Sequence, residues 1–181
     1  MTDERGLSLI ELLVFIVVVG VAVTGVLSVY SLNARSSADP MVRKQAVAIA
    51  ESLLEEVLSK PYTYCDPDDA NAETATSPAG CASLTETAMA PEAGETRYSN
   101  LTPFDNVNDY NGFSMVGIQD LTDESAIAGL AAYSASIQVQ SAGAFNGIPE
   151  GETLLVTVTV TAPGNHTLSL SGYRARYAPN F

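Results

Sequence analysis

An α+β fold is what this sequence predicts: a long N-terminal helix followed by an antiparallel sheet of about four strands. Three observations predict it. Leu7 to Asn33 is a nearly unbroken apolar run, with no charged residue from Leu12 to Leu32. A stripe at helical spacing follows, made of Val42, Ala46, Ile49, Ala50, Leu53, Leu54, Val57 and Leu58. The last third of the chain then alternates apolar and polar residues, most clearly from Leu155 to Thr161, which reads Leu-Val-Thr-Val-Thr-Val-Thr.

As a helix, the first run is about 40 Å long, against about 30 Å for a hydrocarbon core. It is apolar on every face, so it is not an ordinary amphipathic surface helix. Its many valines favour strand in water. In lipid a lone strand leaves its backbone groups unpaired, so helix is predicted. A cleaved secretory signal is the alternative. It needs a basic start, a short apolar core and a small-residue site directly after it. Here Asp3 and Glu4 outweigh Arg5, the core is too long, and Ser36 and Ala38 lie well past it. Glu11 stands out because a carboxylate inside a membrane is costly and calls for a partner.

Asp39-Pro40 predicts a helix restart, with Asp as N-cap and Pro at the first helical position. The amphipathic helix after it carries Arg43, Lys44, Glu51, Glu55 and Glu56 off its stripe, and Lys60-Pro61 closes it. Pro61 to Pro103 reads as loop, rich in Ala, Thr, Pro and acidic residues. Asp66, Asp68 and Asp69 there read as a solvated acidic loop rather than a cation site. Phe104 to Phe113 clusters Asp, Asn and Gly and reads as a turn feeding a strand. Its oxygen-rich stretch from Asp105 to Asn111 also invites calcium, but it departs from the EF-hand order. Strands are predicted at Phe113 to Ile118, Tyr133 to Ser141, Leu155 to Thr161 and Thr167 to Tyr177. Pro163-Gly164-Asn165 turns the last two into a hairpin.

Charge and composition narrow the function. Net charge is −13, and only Arg35, Arg43, Lys44 and Lys60 approach a basic grouping, so no nucleic-acid partner is expected. With one histidine, His166, no Ser/His/Asp or Cys/His arrangement can be built, so no enzyme is expected. No metal site and no cofactor are expected either, because the spacing of Cys65 and Cys81 fits no zinc pattern. If the apolar run carries the rest of the chain outward, the two cysteines meet an oxidising compartment. A disulfide between them closes a loop of about 15 residues, stabilising by roughly 3 kcal/mol. Two free thiols are the alternative.

The residues Gly6-Leu7-Ser8-Leu9-Ile10-Glu11 resemble the processing site of type IV pilins and of the pseudopilins of type II secretion. The motif couples a glycine, a glutamate at fixed spacing and a long apolar run. The resemblance implies that a prepilin peptidase cuts between Gly6 and Leu7 and N-methylates Leu7. It also implies that Glu11, then the fifth residue, pairs with the N-terminal amine of a neighbouring subunit. The chain would divide into a leader (1–6), a membrane and filament-core helix (7–33), an amphipathic continuation (34–60) and a periplasmic or extracellular head (61–181). It would sit in the inner membrane by a single pass and then enter a pilus at the cell surface. Its partners would be the peptidase, other pilin subunits and the inner-membrane assembly platform.

Leu7 stands where the family usually has Phe, and no proline lies between Leu7 and Asp39, which suggests a minor rather than a bulk subunit. Gly20 and Gly25 loosen the helix instead. Ala38-Asp39-Pro40 and the stretch from Gln45 to Leu58 look like the minor subunits of mannose-sensitive haemagglutinin (MSHA) pili, as do the turn from Asn106 to Gly112 and the Val158-to-Thr161 hairpin. A minor pilin serving adhesion or motility is therefore expected. A type II secretion pseudopilin and a membrane-anchored binding module that never polymerises are the alternatives.

Overall fold

The computed structural model describes residues 8–86, 88–144 and 147–176, and all of their side chains except those of 32–39. The layout is α+β. Helix α1 spans Leu9–Ser59, and four strands come after it: β1 (Ser114–Val116), β2 (Ser134–Ser141), β3 (Thr153–Ala162) and β4 (His166–Ala175). They form one sheet in the order β1-β2-β3-β4, with every neighbouring pair antiparallel. Short 3₁₀ turns occupy Pro78–Gly80 and Val107–Tyr110. The chain divides into two compact units, Met1–Val42 and Arg43–Phe181.

The predicted restart at Asp39-Pro40 does not occur: α1 runs through Pro40. Proline in a helix removes one N–H bond and crowds the carbonyl four residues back. That defect is local, and the sequence on both sides forms helix.

In the first unit, Leu9–Ser31 is apolar and long enough to cross a membrane by length and composition, and none of it is buried. Its threonine and serine hydroxyls bond back to the helix itself. Thr24 Oγ1 donates to the Gly20 and Val21 carbonyls at 3.1 and 2.9 Å, Ser28 to Thr24 and Ser31 to Ser28, both at 2.9 Å. These threonine and serine hydroxyls therefore ask for no partner from outside, as suits a lipid-facing helix.

In the second unit the helical stripe is buried as its spacing predicts. Ala46, Ile49, Ala50, Leu53 and Val57 are core residues. They meet the sheet face made by Ala135, Ile137 and Val139 of β2 and by Leu154, Val156, Val158 and Val160 of β3, all buried. The alternation in β3 leaves Thr157 and Thr159 on the other face, where they bond Ser171 and Ser169 across the hairpin at 3.0 and 2.9 Å. Gly172, opposite Val156, lets the helix come close. A Cβ there would lie 2.8 Å from Leu58 Cδ1 and 3.5 Å from Leu54 Cδ1. Asn165, at φ 60°, holds the left-handed position of the turn between β3 and β4.

Candidate functional site

Of the residues predicted for processing, Gly6 and Leu7 lie outside the described residues, as does the leader before them. Glu11 is exposed in the first turn of α1. Its N–H donates to Ser8 O at 3.1 Å and to Ser8 Oγ at 3.3 Å. Ser8 thus caps the helix three residues before Glu11, the spacing of half a capping box. The Glu11 carboxylate makes no bond to another described residue. A negative charge near a helix N-terminus is favoured by the helix dipole. This carboxylate is therefore held at one end of a bare apolar surface, with no partner among the described residues.

Glu56 and Gln45 tie the amphipathic part of α1 to the head. Arg97 grips Glu56 with both arms, Nε to Oε1 at 2.8 Å and Nη2 to Oε2 at 2.6 Å, and Tyr110 donates to Glu56 Oε1 at 2.9 Å. The guanidinium lies 5.3 Å from the Tyr98 ring centroid and 5.6 Å from that of Phe113. Tyr133 donates to Gln45 Oε1 at 2.9 Å near the start of β2. The long loop after Pro61 is thus pinned rather than loose.

Cys65 and Cys81 are bridged, with their Cα atoms 5.5 Å apart. The solvated acidic loop expected around them is corrected at two positions, since Asp66 and Asp69 are buried and Asp68 alone is exposed. Asp69 organises the bridged loop. Its carboxylate accepts the backbone N–H groups of Leu84, Ala82, Asn71 and Ser83 at 2.7–2.9 Å. Those donors hold it well below the usual carboxylate range. A loop with no periodic pattern of its own takes one shape because a single side chain collects four of its amides.

The turn from Asn106 to Asn111 does feed β1, but it is buried rather than surface-lying. Asn106, Val107, Asn108, Asp109 and Tyr110 are all core residues. Asn106 and Asp109 form a capping box, in which Asp109 Oδ2 accepts the N–H of Asn106 at 2.7 Å and of Asp105 at 3.0 Å. Asn108 donates to Glu86 Oε1 and to the Ala88 carbonyl. Around this turn gather carboxylates from four separate stretches. One oxygen each of Glu86, Glu92 and Asp109 lies within 4.8 Å of the others, and the same holds for Asp66, Glu92 and Glu95 and for Asp66, Asp68 and Asp105. Burial first, then the neighbouring carboxylates, raises Asp105 to about 7 and pushes Glu86 and Glu95 upward. Asp109 rises only to about 6, because the two N–H groups of the capping box oppose its burial.

Arg176 lies one residue past the end of β4. In the fold it is stacked 3.7 Å from the Tyr62 ring centroid and 4.1 Å from that of Tyr64, and it pairs with Glu152 at 3.2 Å. Tyr62 and Tyr64 alternate two residues apart, but their partner lies more than a hundred positions away, so no local signal announces the pairing. His166 opens β4, exposed, opposite Ala162.

No family model, curated protein or solved structure matches this chain.

Proposed function

We propose that this protein is a minor subunit of a type IV pilus of the MSHA kind, anchored and packed through Leu9–Ser31 with its head outside the inner membrane. The observation that carries the reading is the character of Leu9–Ser31: a helix apolar on all sides and unburied, its Thr and Ser bonded to the helix itself, with one carboxylate, Glu11, at its start. A plain anchor has no use for that carboxylate, and lipid penalises it. An assembly helix does, because the amine exposed by cleavage after Gly6 on an adjacent chain supplies the missing positive charge. The Cys65–Cys81 bridge suits a head in an oxidising compartment. In this reading prepilin peptidase removes residues 1–6 and methylates Leu7. Neighbouring subunits and the inner-membrane platform then draw the helix into the filament.

The test is Glu11→Ala in cells that carry the peptidase and a complete set of pilus components. The substituted chain is expected in the membrane fraction at the parental level and lost from sheared filaments by at least tenfold. Equal incorporation of the Glu11→Ala chain overturns the assembly role. Intact mass of the membrane form reports processing independently: loss of Met1 to Gly6 plus one methyl is expected, and an unprocessed chain refutes the prepilin reading.

A further inference from the structure

We propose that Glu86, Glu92 and Asp109, extended by Asp66 and Glu95, form a calcium site in the head. The site is built from inside outward. Glu86 and Asp109 are its buried floor, 6% and 1% exposed, while Glu92 and Glu95 are half-buried at its rim. A cation therefore has a path in and a closed end to meet.

The floor carboxylates are each held by one oxygen and left open by the other. Glu86 Oε1 accepts from Asn108, and Asp109 Oδ2 is occupied by the capping box. Glu86 Oε2 and Asp109 Oδ1 are buried with no hydrogen-bond partner among the described residues, and so are Glu92 Oε2 and the amide oxygen of Asn108. A buried acceptor without a donor costs about 1–3 kcal/mol, and more when charged. Glu86, Glu92 and Asp109, which bring one oxygen each within 4.8 Å of the others, each carry one of these unpartnered atoms, so the cluster gathers negative charge without a cation. Arg97, a buried basic group of the head, is committed to Glu56.

The donor set selects the cation. All the candidate ligands are oxygens, mostly carboxylate, with no sulfur or imidazole among them, which disfavours zinc and copper. Calcium takes six to eight oxygens at about 2.3–2.6 Å, so two of its ligands lie no more than about 4.6–5.2 Å apart. The 4.8 Å limit within each triad fits that span. Glu92 belongs to both the Glu86–Asp109 and the Asp66–Glu95 groups, so it is the shared bridging ligand. Magnesium demands a tighter octahedron and keeps several waters, which a floor of fixed carboxylates does not favour. The expectation of no metal in this chain rested on the shortage of His and Cys, which bears on zinc and leaves hard cations open. The calcium idea for Asp105 to Asn111 changes form: the ligands come from several loops around that turn instead of from its own sequence. Bound there, calcium ties the Cys65–Cys81 region and the Glu92–Glu95 loop to the turn before β1.

The experiment uses the full-length chain in dodecyl maltoside micelles, stripped with EGTA at about pH 7.5, with calcium chloride alone as the probe. Titration calorimetry and thermal melts are read together. Saturable binding is expected with Kd no weaker than about 10⁻³ M, the range of extracellular modules. A Tm rise of roughly 5 °C is expected at about 5 mM calcium, with less than half that rise at equal magnesium. Glu92→Gln is expected to melt no lower than the parent in EGTA, because it removes a repelling charge, and to lose the calcium-induced rise. If its circular dichroism shows that it does not fold, Glu95→Gln carries the same comparison, with affinity at least fivefold weaker. Absence of binding up to about 10 mM, an equal response to magnesium, or a full calcium response in both variants overturns the site.

Discussion

Leu9–Ser31 and Arg43–Ser59 belong to one helix, yet they are opposite kinds of surface. The first is apolar on all sides and bare; its Thr and Ser bond only to their own helix. The second is apolar on one stripe, which is buried, and carries Gln45 and Glu56 that bond into the head. Backbone hydrogen bonding is the same in both. What differs is where each finds its solvent. The amphipathic segment has its own sheet to cover it. The uniform segment has nothing in the described chain that does, which is why lipid and sister helices are its proposed surroundings.

That contrast can be broken by substitutions that act on one segment alone. The largest effect is expected from Arg97→Ala, which leaves Glu56 without its cation in a largely buried setting and should cost about 3–5 kcal/mol of head stability. Urea unfolding of the detergent-solubilised chain, monitored by circular dichroism, measures it. A loss under about 1 kcal/mol would mean that the helix-to-loop grip is incidental. Leu53→Ala comes next, at about 2–5 kcal/mol for a truncated core residue, while Val17→Ala in the bare segment should leave the same transition within about 0.5 kcal/mol. Equal effects at Leu53 and Val17 would erase the distinction. Gly172→Ala is smaller, about 1–3 kcal/mol of overpacking against Leu58. Combining it with Leu58→Ala should restore part of that loss, and an unchanged penalty would show that the close approach is not what the glycine serves.

The sequence made the regular elements legible and the loops nearly opaque. The stripe from Ala46 to Val57 and the alternation from Leu154 to Ala162 are visible because helix and strand repeat their geometry, so core positions recur at fixed spacing. The strands appear within a few residues of where alternation places them. Pro40 misleads because a proline that starts a helix and one that interrupts it look alike in sequence. Asp69 reads as an ordinary surface acid, since nothing nearby reveals that it will receive amides from Asn71 and from Ala82 to Leu84. Arg97 and Arg176 are equally silent: their partners, Glu56 and the Tyr62–Tyr64 pair, are remote in the chain.

The candidate sites divide along the same line. Glu11 is legible because its peculiarity is local, a charge one turn into an apolar run, and its partner is sought outside the chain. The carboxylates of the head are legible only as scattered negative charge, which reads as a solvated face. Glu86, Glu92 and Asp109 become one cluster when the disulfide, the Asp69 hub and the capping box have folded three stretches onto each other.

By itself, then, the sequence determined the features that period and polarity encode: a membrane-length helix with an acid at its start, an amphipathic continuation and a meander of four strands. Tertiary structure alone decided that Asp66 and Asp69 are buried, that α1 passes Pro40 unbroken, and that seven acidic side chains converge beside the turn before β1. The reason is physical. Hydrophobic periodicity is written residue by residue, whereas the convergence of charges depends on loop closure, and loops carry no period from which it could be read.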